Sequence, residues 1–145
     1  MKKLSTILLA TTLLVASHID EFAQRMGYAQ DYATALERAK KENKPLMMLM
    51  VSKRCKWCKK FEKRTLQMIP VAVAVQKHYI PLIVDRADRA RYPDGYYSRR
   101  IPIVYFIDPH TEEQTYESIG YVGYKEFLQI LRDEYAEFIA QEGER

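Results

Sequence analysis

Cysteine is scarce in this chain, histidine nearly as scarce, and long uncharged runs are missing. Two cysteines among 145 residues are too few for a disulfide-stapled scaffold or an all-cysteine zinc site. The three histidines, His18, His78 and His110, show no ligand spacing that would complete a zinc site. Lys59, not histidine, follows the second cysteine, which argues against covalent haem attachment. No uncharged stretch reaches the ~20 residues that span a bilayer. There is no internal repeat, low-complexity segment or linker. What remains is 48% hydrophobic and 29% charged, a globular profile on a length that suits one domain. Both cysteines fall in Cys55-Lys56-Trp57-Cys58, so they cannot clamp distant segments together, and their position suggests reactivity.

The chain begins like an address. Met1-Lys2-Lys3 is a short basic start, and Leu4 to Ala16 follows for 13 residues without a charge. Val15-Ala16-Ser17 offers small residues for cleavage after Ala16 or Ser17. This is the layout of a secretory signal peptide, which assigns residues 1–17 to the signal and 18–145 to one domain. An N-terminal core helix and an uncleaved anchor are the other readings. The run is short for a membrane span, and no cysteine follows it to carry a lipid. Lys2 and Lys3 belong to the signal, so the 23 basic residues fall to 21 against 19 acids and the net charge drops from +4 to +2. Whole-chain charge therefore says little about partners. The expected destination is the periplasm, an oxidising compartment in which a lone cysteine pair stays oxidised unless something reduces it.

Residues 18–30 show no strong period. Asp31 to Asn43 reads as a helix capped by Asp31, with Ala33, Leu36 and Ala39 as a narrow apolar stripe, and Lys44-Pro45 stops it. Leu46 to Val51 reads as a buried strand, because it is short, continuous and flanked by breakers. Its methionines, Met47, Met48 and Met50, read as soft packing rather than metal ligands. Lys56 to Met68 reads as a helix with Phe61 and Leu66 inward, and Pro70 restarts the chain into Val71 to Lys77. Tyr79 to Val84 is the next strand. Ile103 to Ile107 and Gln114 to Ile119 form a hairpin across Asp108-Pro109-His110-Thr111. Tyr124 to Gln141 closes the domain as an amphipathic helix with Phe127, Leu128, Leu131, Tyr135 and Phe138 inward. Helices alternate with strands, then a hairpin follows. The pattern predicts an α/β fold with a central mixed sheet of about four strands flanked by helices, parallel in its first half and antiparallel in its second.

Cys55 follows a buried strand and opens a helix, where unpaired N–H groups and the helix dipole stabilise a thiolate. Cys58 lies one turn deeper, so the spacing offers an attacking thiol in front and a resolving thiol behind. Lys53, Arg54, Lys56, Lys59, Lys60, Lys63 and Arg64 surround the pair, with Glu62 the one acid among them. Lys56 and Lys59 are the nearest thiolate-stabilising cations. No cofactor and no resident metal is expected.

The strand, the Cys-x-x-Cys helix start and the later Ile101-Pro102 resemble the thioredoxin superfamily. Asn43-Lys44-Pro45-Leu46 and Cys55-Lys56-Trp57-Cys58-Lys59-Lys60-Phe61-Glu62 narrow the resemblance to its secreted branch. That branch includes the C-terminal periplasmic domain of the membrane thiol–disulfide transporter. The match runs from about Asp31 to Phe138. It implies that Pro102 is the family's cis-proline beside the cysteines and that the Ile101 backbone pairs with an extended substrate segment. Gly120 is similar to the family glycine that lets the chain pass near the active site, and a plain turn glycine is the local alternative. Trp57 is expected to contact partners or to pack on the following loop. Two departures stand out. Leu49 replaces the buried acid often found six residues before the first cysteine, so Glu62 or water would take the proton. Lys56-Trp57 matches neither the Gly-Pro of cytosolic thioredoxin nor the Pro-His of the strong periplasmic oxidant.

Residues 86–101 crowd Arg86, Arg89, Arg91, Tyr92, Tyr96, Tyr97, Arg99 and Arg100 before Pro102. Basic and aromatic residues interleaved can mark nucleic-acid binding, but export argues against that partner. Two readings stay open: a solvated loop whose tyrosines cap the sheet, and a docking surface for acidic protein substrates through Tyr96 and Tyr97. The function expected is periplasmic thiol–disulfide exchange with protein disulfides or thiols, in the reducing direction. The electron donor would be a membrane thiol transporter, and the chain would meet the membrane only during export. The alternatives are a non-catalytic thioredoxin-fold binding module and a metal-binding protein using the cysteine pair. The charge argument is checked by titrating thiolate absorbance in a Cys58→Ser variant: the Cys55 midpoint should fall well below ~8.5, the ordinary cysteine value.

Overall fold

The computed structural model describes residues 15–144. The basic start and most of the apolar run that suggest a signal peptide lie outside the described residues. Ser17 is the N-cap of the first helix, α1 (His18–Met26): its hydroxyl accepts from the Asp20 N–H, and its own N–H donates to the Asp20 carboxylate at 2.8 Å. This reciprocal box satisfies two otherwise orphaned donors. Gly27 ends the helix at φ 70°, a left-handed conformation that glycine adopts without penalty. Ala29 then bridges Leu82 in parallel. Residues 18–30, without a clear period in sequence, are thus a capped helix and a short extended piece.

The second helix, α2 (Tyr32–Glu42), is capped by Asp31, whose carboxylate accepts from the Thr34 N–H at 3.0 Å. Its buried positions are Tyr32, Ala35 and Ala39, while Ala33 is exposed. Of the expected stripe Ala39 is buried and Leu36 is partly buried against the same core, while Tyr32 takes the place of Ala33. Tyr32 has far more apolar surface to bury than Ala33, and one residue turns the helix face by 100°.

Strand β1 (Leu46–Val51) is buried throughout. Helix α3 (Lys56–Phe61) continues into a π-helical stretch, Glu62–Leu66, in which the Gln67 N–H reaches back to the Glu62 carbonyl. The expected single helix is interrupted here. The extra residue in the turn lets both Thr65 and Leu66 face inward, and Thr65 Oγ1 donates to the Val122 carbonyl at 2.5 Å. Helix α4 (Ile69–His78) follows with Pro70 in its first turn, where a missing N–H costs nothing. The chain then forms β2 (Ile80–Asp85), the 86–101 loop with two 3₁₀ turns, β3 (Ile103–Ile107), β4 (Gln114–Ile119) and α5 (Tyr124–Glu144).

The sheet order is β2-β1-β3-β4. β1 pairs in parallel with β2 and antiparallel with β3, and β3 pairs antiparallel with β4, giving the mixed four-stranded α/β architecture expected. Met50 lies opposite Ile103, and Ile103 opposite Ile119. The segments after β1, before β3 and after β4 therefore meet at one end of the sheet.

Alternate β1 side chains feed two cores. Met47, Leu49 and Val51 pack with Phe22, Phe61, Phe106 and Phe127 on the α1/α3/α5 face. Leu46, Met48 and Met50 pack with Ala35, Ala39, Tyr92 and Tyr105 on the α2 face. Within α5, Phe127, Leu131 and Phe138 are fully buried, while Leu128 and Tyr135 are only partly so. The Tyr79 hydroxyl donates to the Leu131 carbonyl at 2.6 Å and ties α5 down. Among the described residues no helix is long and apolar enough to cross a membrane. Phe127 meets the Phe61 ring edge-on at 5.1 Å. Phe127→Ala is expected to cost about 3–5 kcal/mol, read from urea unfolding.

Candidate active site

The turn after β1 delivers Cys55. Its N–H donates to the Ser52 carbonyl at 3.2 Å, and its φ of -84° and ψ of 104° make it the N-cap of α3. The Cys58 N–H points at Cys55 Sγ, 3.1 Å away. Cys55 and Cys58 are joined by a disulfide, with Cα atoms 5.2 Å apart. The two sulfurs are not equivalent. Cys55 is half-buried at the surface, whereas Cys58 is 1% exposed within the core beside Phe61.

Pro102 is buried at the start of β3, and the Ile101–Pro102 peptide bond is cis. Its carbonyl accepts from the Gly120 N–H at 2.7 Å, which pins the end of β4 to the same place. Gly120 has φ 85°, where a side chain would be strained. Ile101 is half-buried and packs against the same core that holds Cys58.

Lys56 and Lys59 are exposed on the first turns of the helix. Neither they nor Lys60, Lys63 and Arg64 form a salt bridge among the described residues. Trp57 is 57% exposed. Its ring lies 6.0 Å from that of Tyr121, and Lys60 Nζ sits 4.5 Å from the first and 4.6 Å from the second. Trp57 thus packs on the loop after β4 and still presents a face to solvent, so the two readings left open for it are compatible.

Leu49 is buried in β1, and the buried acid of the α3 region is Glu62. Glu62 lies one turn beyond Cys58 and is 2% exposed. Its Oε2 is 2.6 Å from His18 Nε2. Burial pushes the Glu62 carboxyl above its ordinary value, and the bond and charge of His18 pull only partly back. The buried Tyr28 hydroxyl, which has no hydrogen-bond partner among the described residues, is pushed up by burial and then by the Glu62 charge. In sequence His18 has no role beyond a possible metal ligand; the Ser17–Asp20 capping box marks the helix it opens, but its pairing with Glu62 has no signal in the linear chain.

The Arg-Tyr loop is largely satisfied within itself. Tyr96 is half-buried against Tyr32 and Tyr105, at 5.9 and 5.1 Å. The Tyr92 hydroxyl donates to the Arg86 carbonyl at 2.6 Å and the Tyr105 hydroxyl to the Tyr96 carbonyl at 3.0 Å. Arg89 pairs with Asp94 and lies over the Tyr97 ring, and Arg91 pairs with Asp88. The tyrosines here cap the sheet, and Tyr97, 44% exposed, is the more accessible of the two proposed docking residues. Among the described residues no three His, Cys, Asp or Glu side chains gather as a metal site.

The profile of the thioredoxin-like family matches residues 28–109. This chain belongs to the thioredoxin-like family. Anterior gradient protein 3 of Xenopus tropicalis is 29% identical to it over 121 residues, covering 75% of this chain and 72% of that protein. Among solved structures, DsbH oxidoreductase superposes with a TM-score of 0.62 at 20% identity, over 91% of this chain and 94% of that one. The oxidised C-terminal domain of DsbD from Neisseria meningitidis gives 0.58 at 19% identity, over 82% and 99%. At those identities the likeness is one of fold. A thioredoxin-like fold with a disulfide at this helix start supports thiol–disulfide oxidoreductase chemistry.

Glu62 offers a direct test of the site's electrostatics. A carboxyl whose folded pKa is raised stabilises the fold most below its unfolded value, ordinarily 4.5. That contribution is lost as pH rises through the raised value. Glutamine does not titrate. Chemical unfolding from about pH 4 to about pH 8 is therefore expected to show the wild type losing stability relative to Glu62→Gln as pH rises.

Proposed function

We propose that this chain is an exported thiol–disulfide oxidoreductase of the periplasm that reduces protein disulfides. The observation that carries the reading is the asymmetry of the pair: one sulfur accessible at a helix start, the other buried one turn behind. In the reduced protein the Cys55 thiolate attacks a substrate disulfide. A mixed disulfide forms, and one substrate sulfur leaves as thiolate. Cys58, having lost its proton, then attacks Cys55 Sγ, releases the second substrate thiol and closes the Cys55–Cys58 bond. Two electrons pass from protein to substrate, and the oxidised form is the state described above.

The surrounding residues fit these steps. Lys56, Lys59 and the N–H groups of the first turn favour the Cys55 thiolate. Glu62, raised by burial and one turn beyond Cys58 on the same helix, is assigned the exchange of the Cys58 proton. The Ile101–Pro102 edge offers backbone to an extended substrate segment, with Trp57 and Tyr97 exposed for contact and Tyr96 holding the loop. The reducing direction and the membrane thiol transporter as donor rest on the resemblance of the Cys55–Glu62 stretch to the secreted branch. Residues 1–17 support export.

The decisive measurement is the reduction potential of the Cys55–Cys58 couple by equilibration with glutathione. A value near the thioredoxin end, about -270 mV, is expected. A value near -120 mV would reverse the direction. Insulin reduction should disappear in Cys55→Ser, and Cys58→Ser should accumulate mixed disulfides; a wild type without turnover would sink the enzymatic reading.

A further inference from the structure

The cations around the disulfide are unevenly occupied. In the 86–101 loop Arg89 and Arg91 already have acidic partners, Asp94 and Asp88. On the other side, the α3 cations have none among the described residues. Lys63 and Arg64 there line a groove of about 430 Å³ together with Met68, Tyr121, Gly123 and Tyr124. The lining holds two cations, two tyrosines and no acid. Its walls are fixed: Thr65 Oγ1 holds the Val122 carbonyl at 2.5 Å, and the Gly123 carbonyl accepts the Phe127 N–H of α5 at 2.9 Å.

The groove is continuous with the redox site. Tyr121 belongs both to its wall and to the Trp57–Lys60–Tyr121 stack beside Cys55. From Cys55 to Arg64 is nine residues of helix, or roughly 14 Å at 1.5 Å per residue. An extended peptide advances ~3.3 Å per residue, so it would cover that distance in about four residues.

We infer that this groove docks an acidic segment of the protein substrate, about four residues from its reacting cysteine. The inference rests on the thiol–disulfide reading above for the identity of that substrate. Charge complementarity identifies the occupant: carboxylates meet Lys63 and Arg64, while apolar side chains between them lie on Tyr121 and Tyr124. The groove is shallow, and its alternation of two cations with two tyrosines suits a single extended chain that alternates acidic and apolar side chains. Within the Arg-Tyr loop Arg89 and Arg91 are already engaged by Asp94 and Asp88, so acid recognition is assigned to the Lys63–Arg64 side of the disulfide, whose lining holds no acid.

Trp57 is the sole tryptophan and stacks on Tyr121, a wall of the groove, so its fluorescence reports occupancy. The oxidised protein is titrated with cysteine-free eight-residue peptides that are Glu-rich, Ser-rich or Lys-rich. The Glu-rich peptide should bind saturably and at least about tenfold tighter than the Lys-rich one, with the difference shrinking in high salt. The K63E/R64E variant should lose that preference, with its thermal unfolding showing that the fold is kept. Equal affinities for the three peptides, or an unchanged preference in K63E/R64E, would overturn the inference. So would binding to phosphatidylglycerol vesicles without any response to the peptides, which would make the face a membrane surface. Wild-type turnover of a small uncharged disulfide separates the two readings. Turnover without acid preference removes the docking site alone; acid preference without turnover removes the redox assignment and leaves the groove.

Discussion

Strand β1 is hydrogen-bonded to β2 on one side and β3 on the other, and all six of its side chains are buried. A strand held in this way cannot slide, because a one-residue slip would exchange the side chains feeding the two cores. Its C-terminal end is therefore a fixed point. The turn from Ser52 delivers Cys55 to the start of α3, and the register Met50–Ile103–Ile119 brings Pro102 and Gly120 to the same end of the sheet. The site is a consequence of strand register more than of any local motif. The hydrogen bond from Gly120 to Pro102 and the stacking of Trp57 on Tyr121 are contacts between segments that meet only because β1 is centred and immobile.

Electrostatics divides this end of the molecule into layers. Exposed lysines and Arg64 follow the accessible sulfur along the helix that Cys55 opens, where solvent screens them and their charge costs little. The one acid behind the pair, Glu62, is buried against His18. Desolvation opposes ionisation there, so the carboxyl holds its proton more tightly than a surface glutamate. The exterior is thus cationic and solvated, and the interior holds a carboxyl whose ionisation burial opposes.

Much of this was readable in advance where the physical signal is local. Pro45 and the apolar run after it mark β1, and the hairpin, the closing helix and the Cys-x-x-Cys helix start were likewise placed within a few residues. Readings failed where distant contacts decide. Tyr32 displaces Ala33 from the buried face of α2 because the sheet offers room for a ring. The turn at Glu62–Leu66 widens to a π-helix where Thr65 meets the Val122 carbonyl across 57 positions of chain. His18 gained its role from Glu62, 44 positions away, and no spacing rule links the two. The arginines of the 86–101 loop looked available in sequence, yet Asp88 and Asp94 engage two of them.

The class of fold, the reactive pair and the sign of the charge around it are legible in the linear chain. Those properties follow from periodicity, from cysteine spacing and from composition within one short segment, all of which act between near neighbours. Folding sets which sulfur is exposed, which acid is buried beside His18, which cations are already paired and where the surface forms a groove. Each of those depends on burial and on contacts between segments far apart in the chain, and both are created only when the sheet closes its register.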